Sequence, residues 1–447
     1  MRHFQKALSQ IVTWLSVQSN NPNLPRFDFN KALRLLSLDQ KIFLLGLFLL
    51  PFGFIWRFEN ITPLVFGLSL DLLTPSVHLS EILFIISFGI FLFKSTLKLN
   101  FAQTLGVSAI ILVLTLEAIL SPIPSIGLWR VLKLLEVAMV ALYTSRSFVS
   151  IRFQKAFLWV LAISTLIQIT LGLAQFTLGN SLNLRILGGH FFDLSTLGVA
   201  KITIGGQEYL RAYGTLPHPN ILAGFIALSF SLVLMLISPL GRIGYLIFWI
   251  YLIGLTLTFS RQAWLAVMLG LFATINWRSL PKLRVSLPYI LVLIITLATL
   301  GTFILTRTRQ TLDLTSPSIV ERQTLIGKSW DLFVSHPIFG AGLGQSIYVM
   351  AQTFPNLDFK LFQPVHNLFV LPFVEAGIIG GLLFLAYILG IAYLLWIKRK
   401  SQFYLKKPLI ASFIIFLGIA MFDHYFLTLD QGLLLLGIYS GLWASKW

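Results

Sequence analysis

The stretch HNLFVLPFVEAGIIGGLLFLAYILGIAYL, residues 366–394, carries a single formal charge, Glu375. A helix needs ~20 apolar residues to cross a hydrocarbon core of ~30 Å, so this stretch reads as a transmembrane helix with length to spare. It has company along the whole chain. Comparable apolar runs lie near 41–57, 76–94, 102–120, 127–147, 157–177, 219–237, 242–259, 262–277, 287–306, 407–425 and 430–445. They are continuous and lack the period-2 alternation of a membrane barrel. Lipid offers the backbone no hydrogen-bond partners, which leaves helices as the remaining solution.

Composition points the same way. Hydrophobic residues make up 57% and charged residues 11%, with a mean hydropathy of +0.85, against roughly 25% charged residues in a soluble domain. The expected fold is therefore all-α: a polytopic membrane protein with about 12 transmembrane helices. Residues 1–40 read as a cytoplasmic N-terminal segment whose positions 4–18 form an amphipathic helix on the membrane surface. Residues 41–447 read as a single transmembrane domain. Two long loops interrupt it, about 178–218 and 307–365, and both are rich enough in aromatic and apolar residues to fold. Residues 319–335 in the second loop read as an amphipathic helix lying on the membrane.

The net charge of +17 does not imply nucleic acid as a partner, because the basic residues follow topology. With the N-terminus inside, 21 of the 33 Lys and Arg fall on inner segments, with only Asp28 and Asp39 of the 16 acidic residues. Short loops rich in Lys and Arg stay in the cytoplasm, so both termini are expected inside and both long loops outside. Six of the seven histidines (His78, His190, His218, His336, His366 and His424) then sit on or near the outer face, and His3 inside. The chain has no cysteine, which excludes disulfides, thiolate metal sites and a Cys nucleophile. It has no Asp-x-Asp, HExxH, CxxC or GxSxG motif, which argues against metalloprotease or esterase chemistry of those types.

Four outer stretches could carry chemistry. Arg211-Ala-Tyr-Gly-Thr-Leu-Pro-His218-Pro219-Asn220 places a proline where a helix starts, a histidine at its mouth, and an arginine within reach of an anion. An interfacial arginine and a helix-capping histidine would look the same. Ser260-Arg261, with Trp264 nearby, puts a cation in the turn between two apolar runs, where charge faces a cavity or a partner. Glu321-Arg322, then Trp330 and His336-Pro-Ile-Phe-Gly340-Ala-Gly342, reads as a helix followed by a glycine-shaped loop. Pro364-Val-His366-Asn367 opens the long span. An imidazole at a helix N-terminus is favoured in its neutral form, which a general base requires. Glu375 lies more than two turns deeper and reads as a structural partner for an arginine.

Taken together, Arg-x-x-Gly-Thr-x-x-His-Pro-Asn (211–220), Ser-Arg with a nearby Trp (260–264), Arg…Trp…His-Pro-x-Phe-Gly-x-Gly (322–342) and His-Asn followed by Glu-x-Gly-x-x-Gly (366–380) resemble the O-antigen ligase/polymerase family of membrane glycosyltransferases. The resemblance covers 211–380 as a core that includes the outer loop 307–365. It implies a GT-C-like fold in the bacterial inner membrane with the active site on the outer face. The implied donor is a lipid-linked oligosaccharide on undecaprenyl diphosphate, and the acceptor a glycan or lipid A-core. The implied reaction is metal-independent, of inverting type, and uses no cofactor. The resemblance assigns His366 as catalytic base and Arg211, Arg261 and Arg322 to the diphosphate, with His218, Asn367 and Glu375 in support. Ligase, polymerase and O-linked protein oligosaccharyltransferase remain open, as does a transporter of bicarbonate or of lipid-linked glycan. No inverted repeat is visible in favour of the transporter.

Overall fold

The computed structural model describes residues 33–95, 100–240, 242–274, 317–401 and 403–446. Helices dominate: α1 (Leu38–Leu49), α2 (Leu79–Lys94), α3 (Phe101–Leu120), α4 (Pro124–Ser147), α5 (Ile151–Leu178), α6 (Pro219–Leu240), α7 (Arg242–Leu257), α8 (Arg261–Thr274), α9 (Pro317–Ser335), α10 (Ser346–Thr353), α11 (Leu371–Lys398), α12 (Lys406–Ala420), α13 (Tyr425–Thr428) and α14 (Asp430–Ala444). The expected all-α fold is qualified by three short antiparallel strand pairs in the connections. Strand β1 (Ile55–Arg57) pairs with β4 (Ser76–His78), β2 (Leu64–Val65) with β3 (Leu68–Ser69), and β5 (Lys201–Ile204) with β6 (Gln207–Leu210).

The helix ends obey local chemistry. Asn100 Oδ1 accepts from Gln103 N at 2.8 Å while Gln103 Oε1 accepts from Asn100 N at 3.1 Å, a reciprocal box that satisfies two backbone donors at the start of α3. Helix α5 stops at Gly179, which takes the left-handed conformation at φ 69°. It is buried along much of its length. Helix α3 is the opposite case: Leu105, Leu112 and Leu116 are exposed, as suits an apolar helix surrounded by lipid. Helix α14 lies along α4. Gly441 permits that contact, since a Cβ there would sit 2.4 Å from the Ala141 carbonyl oxygen. Small residues let backbones approach in this way in membrane bundles.

Among the described residues, three helices are long and apolar enough to cross a membrane by length and composition: α3, α5 and α11. Several expected spans are shorter than the hydropathy implies. The run 41–57 becomes a helix that ends at Leu49, after which Ile55–Arg57 leaves as a strand. At 1.5 Å per residue, twelve residues of α1 reach ~18 Å. The run 76–94 likewise begins as strand β4. The run 366–394 begins as irregular backbone and becomes helical only at Leu371. Apolar composition marks the whole buried segment, and it cannot separate a helix from the apolar strand or turn that continues it. The expected helix 319–335 appears as α9. The run 287–306 and the amphipathic segment 4–18 lie outside the described residues.

A buried ion cluster was not anticipated. Lys133 on α4 is 5% exposed, pairs with Glu81 on α2, and lies 3.1 Å from Asp430 at the start of α14. It draws three helices together where the sequence reading placed few charges within spans.

Candidate active site

Helix α6 starts with Pro219 in its first turn, where a missing N–H costs nothing. His218 stands just before it, and its Nδ1 accepts from Asn220 N at 3.1 Å. Strand β6 ends at Leu210, which delivers Arg211 to the same place. Arg211 is 5% exposed and donates through Nε to Thr258 O at 2.7 Å and through Nη2 to Asn220 Oδ1 at 2.9 Å. It thereby clamps the turn between α7 and α8 onto the start of α6. That turn is tight, with Phe259 at φ 49°. Trp264 closes it by donating Nε1–H to Leu255 O at 3.0 Å. Arg261 follows as the first residue of α8.

These ends converge on a carboxylate that the sequence reading missed. Asp423, beyond the end of α12, is 6% exposed. Its Oδ2 accepts from Gln262 Nε2 at 2.8 Å and from Asn220 Nδ2 at 3.3 Å, and its Oδ1 accepts from His424 N at 2.9 Å. Burial alone would raise Asp423, but the imidazoles of His424 and His366, the Gln262 amide and His218 outweigh it and hold the carboxylate below its ordinary value.

His366 completes the group. Its ring meets that of His424 edge to face, with centroids 4.9 Å apart and planes at 82°. Among the described residues its buried Nδ1 has no hydrogen-bond partner. His424 in turn shares a hydrogen bond between its Nδ1 and Thr428 Oγ1 at 2.7 Å.

All three imidazoles are held below the ordinary histidine value. For His366 the main cause is burial. Asp423 opposes that shift and Arg322 adds to it. For His218 burial and Arg211 push the value down to about 3, and for His424 burial outweighs Asp423 and leaves it at about 4. Burial is thus the main cause of the lowered His366 value. The helix N-terminus invoked from the sequence starts five residues later, at Leu371.

Arg322 on α9 lies within electrostatic reach of His366, His424 and Arg261. Glu321 beside it accepts a hydrogen bond from Gln363 Nε2. The cluster therefore unites His218, His366, Arg211, Arg261 and Arg322, drawn from all four stretches singled out in the sequence, with Asp423 and His424 from outside them. Among the described residues, no group of three or more His, Cys, Asp and Glu is arranged to hold a metal ion.

Asn367 and Glu375 stand one step back. Asn367 Oδ1 accepts from Phe369 N at 2.9 Å and Val370 N at 3.1 Å, and its Nδ2 donates to Met421 O at 3.1 Å. It fixes the turn that presents His366 and ties that turn to the end of α12. Glu375 accepts from Gly344 N at 2.9 Å and from Ser346 Oγ at 2.8 Å. Helix α11 breaks directly after it, with Ala376 at φ −126°, ψ 21° and Gly377 at φ 59°, ψ −158°. Into the break fits the glycine loop after α9. Ala341 N donates to Val374 O at 2.8 Å, Gly342 N to Glu375 O at 2.9 Å, and Ile378 N to Pro337 O at 2.9 Å. The glycine loop and the Glu-x-Gly sequence are two halves of one lock. The arginine expected to partner Glu375 is Arg130, which acts on it from a distance while the direct partners are Gly344 and Ser346.

Asp423, His424, Asn220 and Gln262 were not chosen from the sequence as site residues. His424 carried one available signal, as an outer-face histidine in an apolar run, and Asp423 stands beside it. Neither belongs to a recognisable spacing.

Comparison with known proteins adds one match. Residues 246–385 fit the model of the family described as O-antigen ligase. The matched segment contains Arg261, Arg322, His366, Asn367 and Glu375 and excludes Arg211, His218, Asp423 and His424. No curated protein matches the chain. The chain is thus similar to the O-antigen ligase family over residues 246–385, within a mostly helical fold that has three helices long and apolar enough to cross a membrane among the described residues.

Proposed function

We propose that the chain transfers a glycan from an undecaprenyl-diphosphate-linked donor to a hydroxyl acceptor at the outer leaflet of the bacterial inner membrane. The observation that carries this reading is the convergence of a half-buried imidazole, held below its ordinary value by burial, with three arginines from separate stretches of the chain. A donor on a lipid diphosphate is already activated. Transfer then requires a base for the acceptor hydroxyl and cations for the charge that grows on the leaving group.

His366 takes the acceptor proton as the acceptor oxygen forms its bond to the anomeric carbon. The bond from that carbon to the phosphate oxygen breaks, and the diphosphate leaves with its electron pair. Arg211, Arg261 and Arg322 hold it, since a guanidinium offers a two-pronged donor to phosphate. A single displacement inverts the anomeric centre. Asp423 and His424 hold the base in its setting, and Asn367 fixes the turn that carries it.

The test uses purified protein, lipid-linked oligosaccharide, and either lipid A-core or excess donor, with chelator present and no nucleotide. Transfer to lipid A-core identifies a ligase, and longer lipid-linked chains identify a polymerase. His366→Ala should lower kcat by about 10²–10⁴-fold. Arg261→Ala should lower kcat/KM by about 10²–10³-fold, the usual cost of removing one donor to developing negative charge. Wild-type turnover by both variants, with protein present in the membrane, overturns the assignment of the site.

A further inference from the structure

A cavity of about 330 Å³ lies beside the histidine and arginine cluster. Its volume is in the range of small-molecule sites, ~300–1,000 Å³. Its wall includes Thr215, Leu216 and Pro217, directly ahead of His218, and Thr428, whose hydroxyl shares the hydrogen bond with the His424 ring. The remaining wall comes largely from the first third of the chain, which the family match does not reach. Arg57, Asp71, Trp129, Lys133, Asp430 and Gln431 line it.

The chemistry of this wall differs from that of the cluster. Two of its three cations are matched by carboxylates: Arg57 lies 3.2 Å from Asp71, and Lys133 lies 3.1 Å from Asp430. Arg130, also on the wall, donates to Leu427 O at 3.1 Å. A diphosphate would find one surplus cation here, Arg130, against the three arginines of the cluster. A neutral polyol would find carboxylate acceptors, guanidinium and amide donors, and aromatic surface at Trp129 and Phe192. One donor is conspicuous. Gln431 is 4% exposed and lines the cavity, and its amide nitrogen has no hydrogen-bond partner among the described residues. A buried amide left unpaired is costly, and a sugar hydroxyl in the cavity would satisfy it.

We infer that this cavity is the acceptor subsite and takes an uncharged sugar residue whose attacking hydroxyl points past Thr428 toward His366. The inference rests on the proposed glycosyl transfer and deepens it. The diphosphate belongs on the arginine side and the acceptor sugar on the cavity side, so that the acceptor hydroxyl faces the anomeric carbon with His366 beside it as the base.

The test has a binding arm and a kinetic arm. In the first, the lipid-free neutral oligosaccharide released from the donor by mild acid is the probe, and saturation-transfer NMR on detergent-solubilised protein is the readout. Wild-type protein should bind it, and Gln431→Leu and Asp71→Asn should weaken binding at least fivefold. Arg261→Ala should leave it unchanged. Asp71 is at the exposed rim, so its variant serves even if Gln431→Leu fails to fold. In the second arm, both variants should raise KM for the acceptor about tenfold with kcat within threefold of wild type.

Loss of glycan binding in Arg261→Ala to the same extent, or no loss in either cavity variant, overturns the subsite. So does a rise in KM confined to the donor, which would place the donor sugar in the cavity. Failure of wild-type turnover with every acceptor would overturn the reaction. The binding arm would still decide whether the cavity takes a neutral sugar.

Discussion

His366 is governed by burial and by neighbours of opposite sign, among them Asp423 and Arg322. Burial holds it below the ordinary histidine value of ~6.5, Asp423 raises it and Arg322 lowers it further. A base works only when unprotonated, so kcat/KM should fall on the acid side with a midpoint below pH ~6.5. Asp423→Asn removes the supporting anion. The imidazole then binds its proton less well, the acid limb moves to lower pH, and the weaker base should cut kcat roughly tenfold at neutral pH. Arg322→Ala removes a repelling cation, so the limb should move to higher pH even as diphosphate binding weakens. Profiles of kcat/KM against pH for the three proteins check this. Limbs that coincide, or that move in the same direction, would show that His366 is not the group that titrates.

At the scale of elements, the break in α11 is what brings the glycine loop beneath the site. Gly377 has φ and ψ values that only glycine adopts comfortably, and a Cβ on it would sit 2.1 Å from the Ile338 carbonyl oxygen. Gly377→Ala should therefore cost about 3 kcal/mol or more, from backbone strain of ~1–3 kcal/mol together with the clash. The measurement is a denaturation series on the solubilised protein. An unchanged midpoint would mean that the helix does not break there. Glycines 377, 380 and 381 were visible in the sequence as a small-residue run on an apolar helix, which commonly marks close packing. Nothing in hydropathy distinguishes a glycine that permits contact from one that permits a positive φ. For the same reason the start of α11 was read five residues early: Val365, Leu368 and Val370 are as apolar as the helix they precede.

Across the whole molecule, the solvent was legible and the site only in part. Charge-poor runs specified a membrane protein because lipid tolerates little else. The arginines and His366 were legible because a cation or imidazole beside an apolar run calls for a partner or a task. Asp423 and His424 were not, since their importance arises only where α12 returns beside α6 and α8, some two hundred residues distant in the chain from Asn220. The Lys133 cluster was hidden likewise, because its partners lie on α2 and α14. Orientation is the remaining whole-molecule question, and the absence of cysteine makes it accessible. A single cysteine can be introduced without background at Leu197, which is 97% exposed, and another at exposed Lys400, between α11 and α12. Residue 197 shares a side with the site, because Arg211 N donates to Ala200 O at 3.2 Å. If the basic loops stay inside, a membrane-impermeant maleimide should label Leu197→Cys in intact spheroplasts and Lys400→Cys only after permeabilisation. The reverse pattern would put His366 on the cytoplasmic face, where a donor presented at the outer leaflet could not reach it.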